Sequence, residues 1–381
     1  MQNYLLRLPA TIAFGQDALP RLSSIVKEHG KRVLVISEGV LHEGNHVGRV
    51  VELLKRDGLE TMVYDELTPG SPASVVDELA SLARASRTGV VVGLGGMRVL
   101  SIARCAANIA VSEYRISDMF NGTIPESSLP YIEVPTSFRN HLLMRDESVI
   151  KDVAVGRARL VGNAPGTVKA VVVDTSFSQT LSSKYALAAI LDTLLAAIEG
   201  FFSTESTLYS DTLLERSIKE LHAAAGMGVR NPADPQFRYR AAEAGLLAAY
   251  GLGIVGQGVG GILSFVMNAR FDLPKSWVAT VLLPHVVDFL TPRNHEKAAR
   301  VAAALGEPVE GIRAVDDAPR AVRGIRKLLS QLDLPVRLRD MDVAHEDLSA
   351  ATSEVLEFPG LSSVPGGVSA AELQRLVASA Y

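Results

Sequence analysis

A change of rhythm near residue 180 constrains this chain more than any other feature of its sequence. Before it, strand-like runs alternate with amphipathic stretches of helical period. The runs are RVLVIS (32–37), TMVYDEL (61–67), GVVVGLG (89–95), YIEVPTS (131–137) and VKAVVVD (168–174). Such alternation argues for a parallel sheet with helices on its faces. After residue 180 come long alanine- and leucine-rich segments, broken at RNPADP (230–235) and LTPRN (290–294). Prolines and short polar residues at those breaks interrupt helical hydrogen bonding. The expectation is an α/β domain over residues 1–179 and an all-helical domain over 180–381, with a functional cleft between them.

Composition narrows the class. At 381 residues and 48% hydrophobic, the chain can bury a large core. A net charge of −4 gives no electrostatic footprint for nucleic acid. Apolar stretches are short or interrupted by charge, so no membrane partner is expected, and MQNYLLRLPATIAFG lacks a basic segment followed by a signal core. A cytoplasmic location follows as the expectation. The single cysteine, Cys105, excludes an internal disulfide framework and a multi-cysteine zinc site. It lies in IARCAANIAV and reads as buried and inert.

The first chemical signal is VVGLGGMRVLSIAR (91–104), a strand that runs through Gly93, Gly95 and Gly96 into a helix. Small residues let the backbone approach phosphate oxygens, and a helix N-terminus offers amides to them. The same glycines also suit a plain strand-to-helix turn. The earlier strand ends at Glu38, where a carboxylate could accept ribose hydroxyls and favour NAD over its 2′-phosphorylated form, or stand as an ordinary loop carboxylate.

With these residues in hand, the chain resembles the iron-containing (group III) alcohol dehydrogenase family of the dehydroquinate-synthase-like superfamily. The resemblance runs from TIAFGQDAL through TPGSPASVVDELASLAR to LLPHVVDFL (282–290). It implies a Rossmann-like N-terminal domain and an all-α C-terminal domain. The family's G-G-G-S-x-x-D-x-A-K reads here as Gly95, Gly96, Met97, Arg98, then Ser101, Ala103 and Arg104. Its P-T-T-x-G-T-G-S-E begins as Pro135, Thr136 and Ser137, then departs as Phe138, Arg139, Asn140, His141, Leu142 and Leu143. The resemblance implies a cofactor site at Glu38, Gly95, Gly96, Met97, Arg98, Thr136 and Ser137, taking NAD with NADP as the alternative. Arg98, Arg104 and Arg139 either grip a pyrophosphate or, with Met97, crowd the loop and exclude it.

The family's metal ligands are missing. Its D-A-x-x-H-x-x-E helix reads Asp192, Thr193, Leu194, Leu195, Ala196, Ala197, Ile198, Glu199. The two further ligand histidines correspond to Gly261 and Lys275. One carboxylate cannot hold a divalent transition metal against water, so a metal-free protein is expected. Lys275 puts a positive charge where the metal would polarise the substrate oxygen. Either Lys275 and Asp192 are catalytic, or they form a salt bridge that fills the old cavity. Arg240, in FRYRAAEAG (237–245), reads as interdomain packing or helix capping, and His285 as structural.

Three functions remain open. One is a metal-independent NAD(P)-linked oxidoreductase acting on an alcohol. A β-hydroxy acid would suit it, since its keto product can lose CO2 unaided, as in natural-product members of the superfamily such as daptide-type peptide dehydrogenases. The second is a non-catalytic scaffold subunit, and the third a lyase or cyclase that uses its nucleotide transiently. Expected partners are a small-molecule or peptide substrate, with a homodimer or a complex with other pathway proteins as candidate assemblies.

Overall fold

The computed structural model describes residues 11–139 and 141–381, so Asn140 and the chain before Thr11 lie outside the described residues. The described chain forms two compact units that divide between Thr180 and Leu181, one residue beyond the boundary read from sequence.

The first unit carries β1 (Thr11–Gly15), β2 (Arg32–Glu38), β3 (Glu60–Leu67), β4 (Val90–Gly95), β5 (Tyr131–Pro135), β6 (Glu147–Asp152), β7 (Arg157–Gly162) and β8 (Val168–Asp174). Helices α1 (Arg21–Lys27), α2 (His46–Arg56), α3 (Val75–Ala85), α4 (Met97–Ile109) and α5 (Ile116–Phe120) alternate with its first strands. Six strands form one parallel sheet in the order β1-β8-β5-β4-β2-β3. All six residues of β4 are buried, which is why it reads as an unbroken apolar run. The edge strand β3 carries Glu60, Asp65 and Glu66, charges that blunt an open edge. All five runs read from the sequence are strands of this sheet. The short edge strand β1 and the pairing of β6 with β7 as a separate antiparallel hairpin were not anticipated, although Arg157 and Arg159 of β7 read as strand residues.

Strand order sets where this sheet can bind. From β2 the chain moves outward to β3, then returns to place β4 on the other side of β2. That reversal opens a crevice beyond the carboxyl ends of β2 and β4. Glu38 ends β2, and Gly95 ends β4.

A buried ion pair ties the turn after β5 to the sheet. Arg104 on α4 pairs with Glu133 on β5, and both side chains are almost wholly buried. Arg104 also donates to the Leu142 carbonyl at 2.8 Å and to the carbonyl of Glu147, while Glu133 accepts the Met144 amide at 2.9 Å. One cation and one anion therefore anchor the far end of the turn after β5, at Leu142, Met144 and Glu147, to the sheet.

The second unit is helical. It contains α6 (Ser183–Phe202), α7 (Leu208–Arg230), α8 (Pro235–Val255), α9 (Val259–Phe271), α10 (Lys275–Leu290) and further helices to Ala380, with no strand among its described residues. Ser182 caps α6, and Asp234 caps α8 ahead of Pro235. Helix α6 is long and apolar enough to cross a membrane, but every residue from Ala186 to Phe202 is buried, as in the central helix of a helical core. Arg240, expected from the sequence in interdomain packing or helix capping, pairs with Glu220 inside the helical unit and joins α8 to α7. His285 is hydrogen-bonded through Nδ1 to Ser379 Oγ at 2.9 Å.

Removing one member of a buried pair leaves the other charge desolvated. Glu133→Ala is expected to cost about 3–5 kcal/mol of unfolding free energy in urea, with part recovered in the Arg104→Met, Glu133→Ala double variant. Equal losses in the two proteins would contradict this account of the pair.

Candidate active site

In the helical unit, α6 supplies a column of positions on one face: Asp192, Ala196 and Glu199 follow at spacings of four and three. Asp192 meets α10. Its Oδ1 accepts from Lys275 Nζ at 2.5 Å, with side-chain exposures of 1% and 4% respectively. Lys275 is the first residue of α10 and follows Pro274. A cation there is opposed by the helix dipole, so the Asp192 carboxylate must stabilise it. The ammonium also lies 4.6 Å from the centre of the Phe265 ring on α9. The turn that delivers it is tied down by Asn268, whose Nδ2 donates to the Leu273 carbonyl at 2.7 Å.

Glu199, two turns beyond Asp192, acts on the next helix. Its carboxylate accepts the amides of Gly260 at 2.6 Å and Gly261 at 2.9 Å, and so caps the N-terminus of α9 from another helix. A Cβ on Gly261 would stand 2.9 Å from Gln257 Oε1 and 3.3 Å from Glu199 Oε2. Burial pushes the Glu199 carboxyl up to about 7, against the lowering pull of the Gly260 and Gly261 amides and of Lys275, while Asp192 adds to the rise. Sequence reasoning quoted Glu199 within the family motif but gave it no role. The available signal was its spacing of seven from Asp192, which places it on the same helical face.

Among the described residues, no group of three or more His, Cys, Asp or Glu side chains gathers as a metal-ligand set. Ala196 and Gly261 bring no donor, and Lys275 brings an ammonium.

In the α/β unit, the expected cofactor residues come together at the carboxyl ends of the central strands. Gly95 ends β4, and its carbonyl accepts the Thr136 amide at 3.1 Å, with Ser137 next in the chain. A Cβ on Gly95 would lie 2.8 Å from Val99 Cβ, so the turn needs glycine. A Cβ on Gly96 would meet nothing within 4 Å. No side chain caps α4 at Gly96. The Met97 side chain is buried, and Arg98 is the one residue of α4 that is not. Arg98 Nη2 donates to Glu38 Oε2 at 2.5 Å, and Nη1 donates to the Thr68 carbonyl. The guanidinium is thus held toward Glu38 and Thr68. Arg104 is locked in the core by Glu133, which removes it from any phosphate site. Cys105 is buried and its thiol is pushed up to about 12 by that burial, so it offers no thiolate at neutral pH.

Comparison with known proteins covers nearly the whole chain. Residues 9–175 match the model of the family described as iron-containing alcohol dehydrogenase, and residues 186–381 that of the Fe-containing alcohol dehydrogenase family, C-terminal. Long-chain-alcohol dehydrogenase 1 of Geobacillus thermodenitrificans is 25% identical over 355 residues, covering 90% of this chain and 88% of that protein. A crystal structure of 1,3-propanediol oxidoreductase superposes with a TM-score of 0.93 at 20% identity, covering both chains completely. Sulfoacetaldehyde reductase from Bifidobacterium kashiwanohense, solved in complex with NAD+, superposes with a TM-score of 0.86 at 19% identity, covering 100% of this chain and 99% of that one.

The Glu199 shift has a definite sign. Its carboxyl holds a proton in the folded state that the unfolded chain releases near 4.5, so stability is full below that pH and is lost as pH rises toward 7. A shift of this size corresponds to about 3 kcal/mol. Urea unfolding from pH 4.5 to 7.5 should show wild type losing that increment relative to Glu199→Gln. Parallel pH profiles for the two proteins would refute the assignment.

Proposed function

The chain belongs to the iron-containing alcohol dehydrogenase family, and within that family we propose a metal-independent, NAD-linked oxidoreductase that uses the Lys275 ammonium where its relatives use a metal. The observation that carries this is the contact of Lys275 Nζ with Asp192 Oδ1, a buried charge pair at two of the family's ligand positions. The residues present do not fit a divalent metal. The one carboxylate at those positions is already engaged by a cation, and transition-metal sites need three or four N, O or S donors.

The residues of the α/β unit do fit a dinucleotide. Gly96 leaves open space at an uncapped helix N-terminus, Met97 turns inward, and the strand-order reversal supplies the crevice. The amides at the start of α4 would hold the pyrophosphate, and Thr136 and Ser137 would border it. NAD, if bound there, would supply the acceptor for the hydride of the alcohol carbon. Lys275 stabilises the negative charge that develops on the substrate oxygen as its proton leaves for solvent. A desolvated ammonium suits that role, because charge stabilisation is stronger where water is excluded. Asp192 holds the ammonium in one position, which removes the reorganisation that a free lysine would need. The printed activities of the relatives, on alcohols, aldehydes and diols, support the reaction class.

The test uses chelator-dialysed protein, NAD+ and a panel of primary alcohols, diols and β-hydroxy acids, with NADH formation followed optically. Turnover without added metal is expected, and Lys275→Met should lower kcat by about 10²–10³-fold with NAD+ affinity unchanged. The Lys275→Met, Asp192→Asn double variant leaves no buried charge unpaired, and so separates lost chemistry from lost folding. Turnover that requires added iron or zinc, or that survives in Lys275→Met, would sink the proposal.

A further inference from the structure

The contact between Arg98 and Glu38 bears on which dinucleotide the site accepts. A carboxylate at the end of the second strand selects for a free ribose 2′-hydroxyl, because it accepts hydrogen bonds from the hydroxyl and repels a 2′-phosphate. Glu38 stands at that position, but it is not a lone carboxylate. Arg98 Nη2 reaches Glu38 Oε2 at 2.5 Å, and the other arm of the same guanidinium donates to the Thr68 carbonyl just past β3. The two side chains are 29% and 18% exposed, so the pair borders the crevice without being sealed in the core. The family motif has serine here. Its replacement therefore places a planar cation beside the residue whose charge would reject a 2′-phosphate. A phosphate dianion is a stronger acceptor for a guanidinium fork than a neutral carbonyl, so it can displace Thr68 from Nη1 while Glu38 retains Nη2.

We infer that Arg98 is a specificity-determining residue that cancels the discrimination by Glu38 and lets this chain take the 2′-phosphorylated dinucleotide, NADP, alongside NAD. The inference rests on the dinucleotide-binding reading above and adds the residue that sets the choice. The test is calorimetric titration of wild type, Arg98→Ser, Arg98→Lys and Glu38→Gln with NAD+, NADP+ and adenosine 2′,5′-bisphosphate. The last probe carries the 2′-phosphate but no pyrophosphate. Wild type should bind NAD+ and NADP+ within about tenfold of each other. Arg98→Ser should weaken NADP+ and the bisphosphate by about tenfold or more, with NAD+ changed by less than threefold, and Arg98→Lys should fall between. Glu38→Gln should weaken NAD+ and leave NADP+ equal or tighter. Four results overturn the inference: binding of NAD+ alone by wild type, equal loss of NAD+ and NADP+ in Arg98→Ser, no loss of NADP+ in that variant, or weaker NADP+ binding in Glu38→Gln. Binding of no ligand by folded wild type overturns the dinucleotide reading itself, an outcome distinct from the other four.

Discussion

An ammonium and a carboxylate 2.5 Å apart, both out of water, organise the helical unit. Neither charge is tolerable there alone, since an uncompensated buried ion costs several kcal/mol. Their meeting fixes the start of α10 against the middle of α6. Once a cation sits at position 275, a second cationic centre beside Asp192 would be repelled rather than held. At position 261 a Cβ would press on the side-chain ends of Gln257 and Glu199. Glu199 caps α9, the helix whose Phe265 ring faces the ammonium. Lys275, Asp192, Phe265 and Glu199 thus link α6, α9 and α10 in one connected arrangement.

The α/β unit also places its arginines on carboxylates. Arg104 stands where the family has lysine, and Glu133 lies opposite it on β5; each satisfies the other in full burial, and together they hold the segment after β5. Arg98 stands where the family has serine, and Glu38 receives it at the end of β2. The two arginines nevertheless have different physical standing. Arg104 is sealed in, so its bonds are strong and its reach is nil. Arg98 is partly in water, where an ion pair is worth about 0–1 kcal/mol, and is therefore cheap to open for a better acceptor. Of the two, only Arg98 can respond to a ligand.

Much of the fold was legible because its signals are local. A fully buried parallel strand such as β4 must be apolar throughout, and a core helix such as α6 must be apolar all round, so both show in the sequence. The edge strand β1 and the β6–β7 hairpin are short and partly exposed, and apart from the strand reading of Arg157 and Arg159 they carry no clear run in the sequence. The Lys275–Asp192 juxtaposition was legible through the family motif, since 83 residues separate the partners and no spacing rule joins them. The partner choices of Arg98 and Arg104 were not legible. A sequence shows that an arginine has replaced a small residue or a lysine, but whether it turns to solvent, phosphate or a strand carboxylate is decided by tertiary packing.

On the metal-independent reading proposed above, the nature of the Lys275 site also bears on whether the site is catalytic. A cavity vacated by a metal and free of function is most stably filled by apolar side chains, because well-packed hydrophobic replacements of a buried ion pair are commonly neutral or stabilising by about 1–4 kcal/mol. This chain has taken the apolar route at Ala196 and Gly261, and Leu194 and Leu195 fill the neighbouring turn of α6. At positions 192 and 275 it has not, and both charges remain at the cost of desolvation. A salt bridge kept only to occupy space is a poor explanation for that expense, whereas an ammonium at a reacting oxygen requires it. A scaffold subunit would be expected to lose this pair first and to keep its packing. An oxidoreductase that had exchanged its metal for a fixed organic cation would keep the pair and let the other ligand positions go.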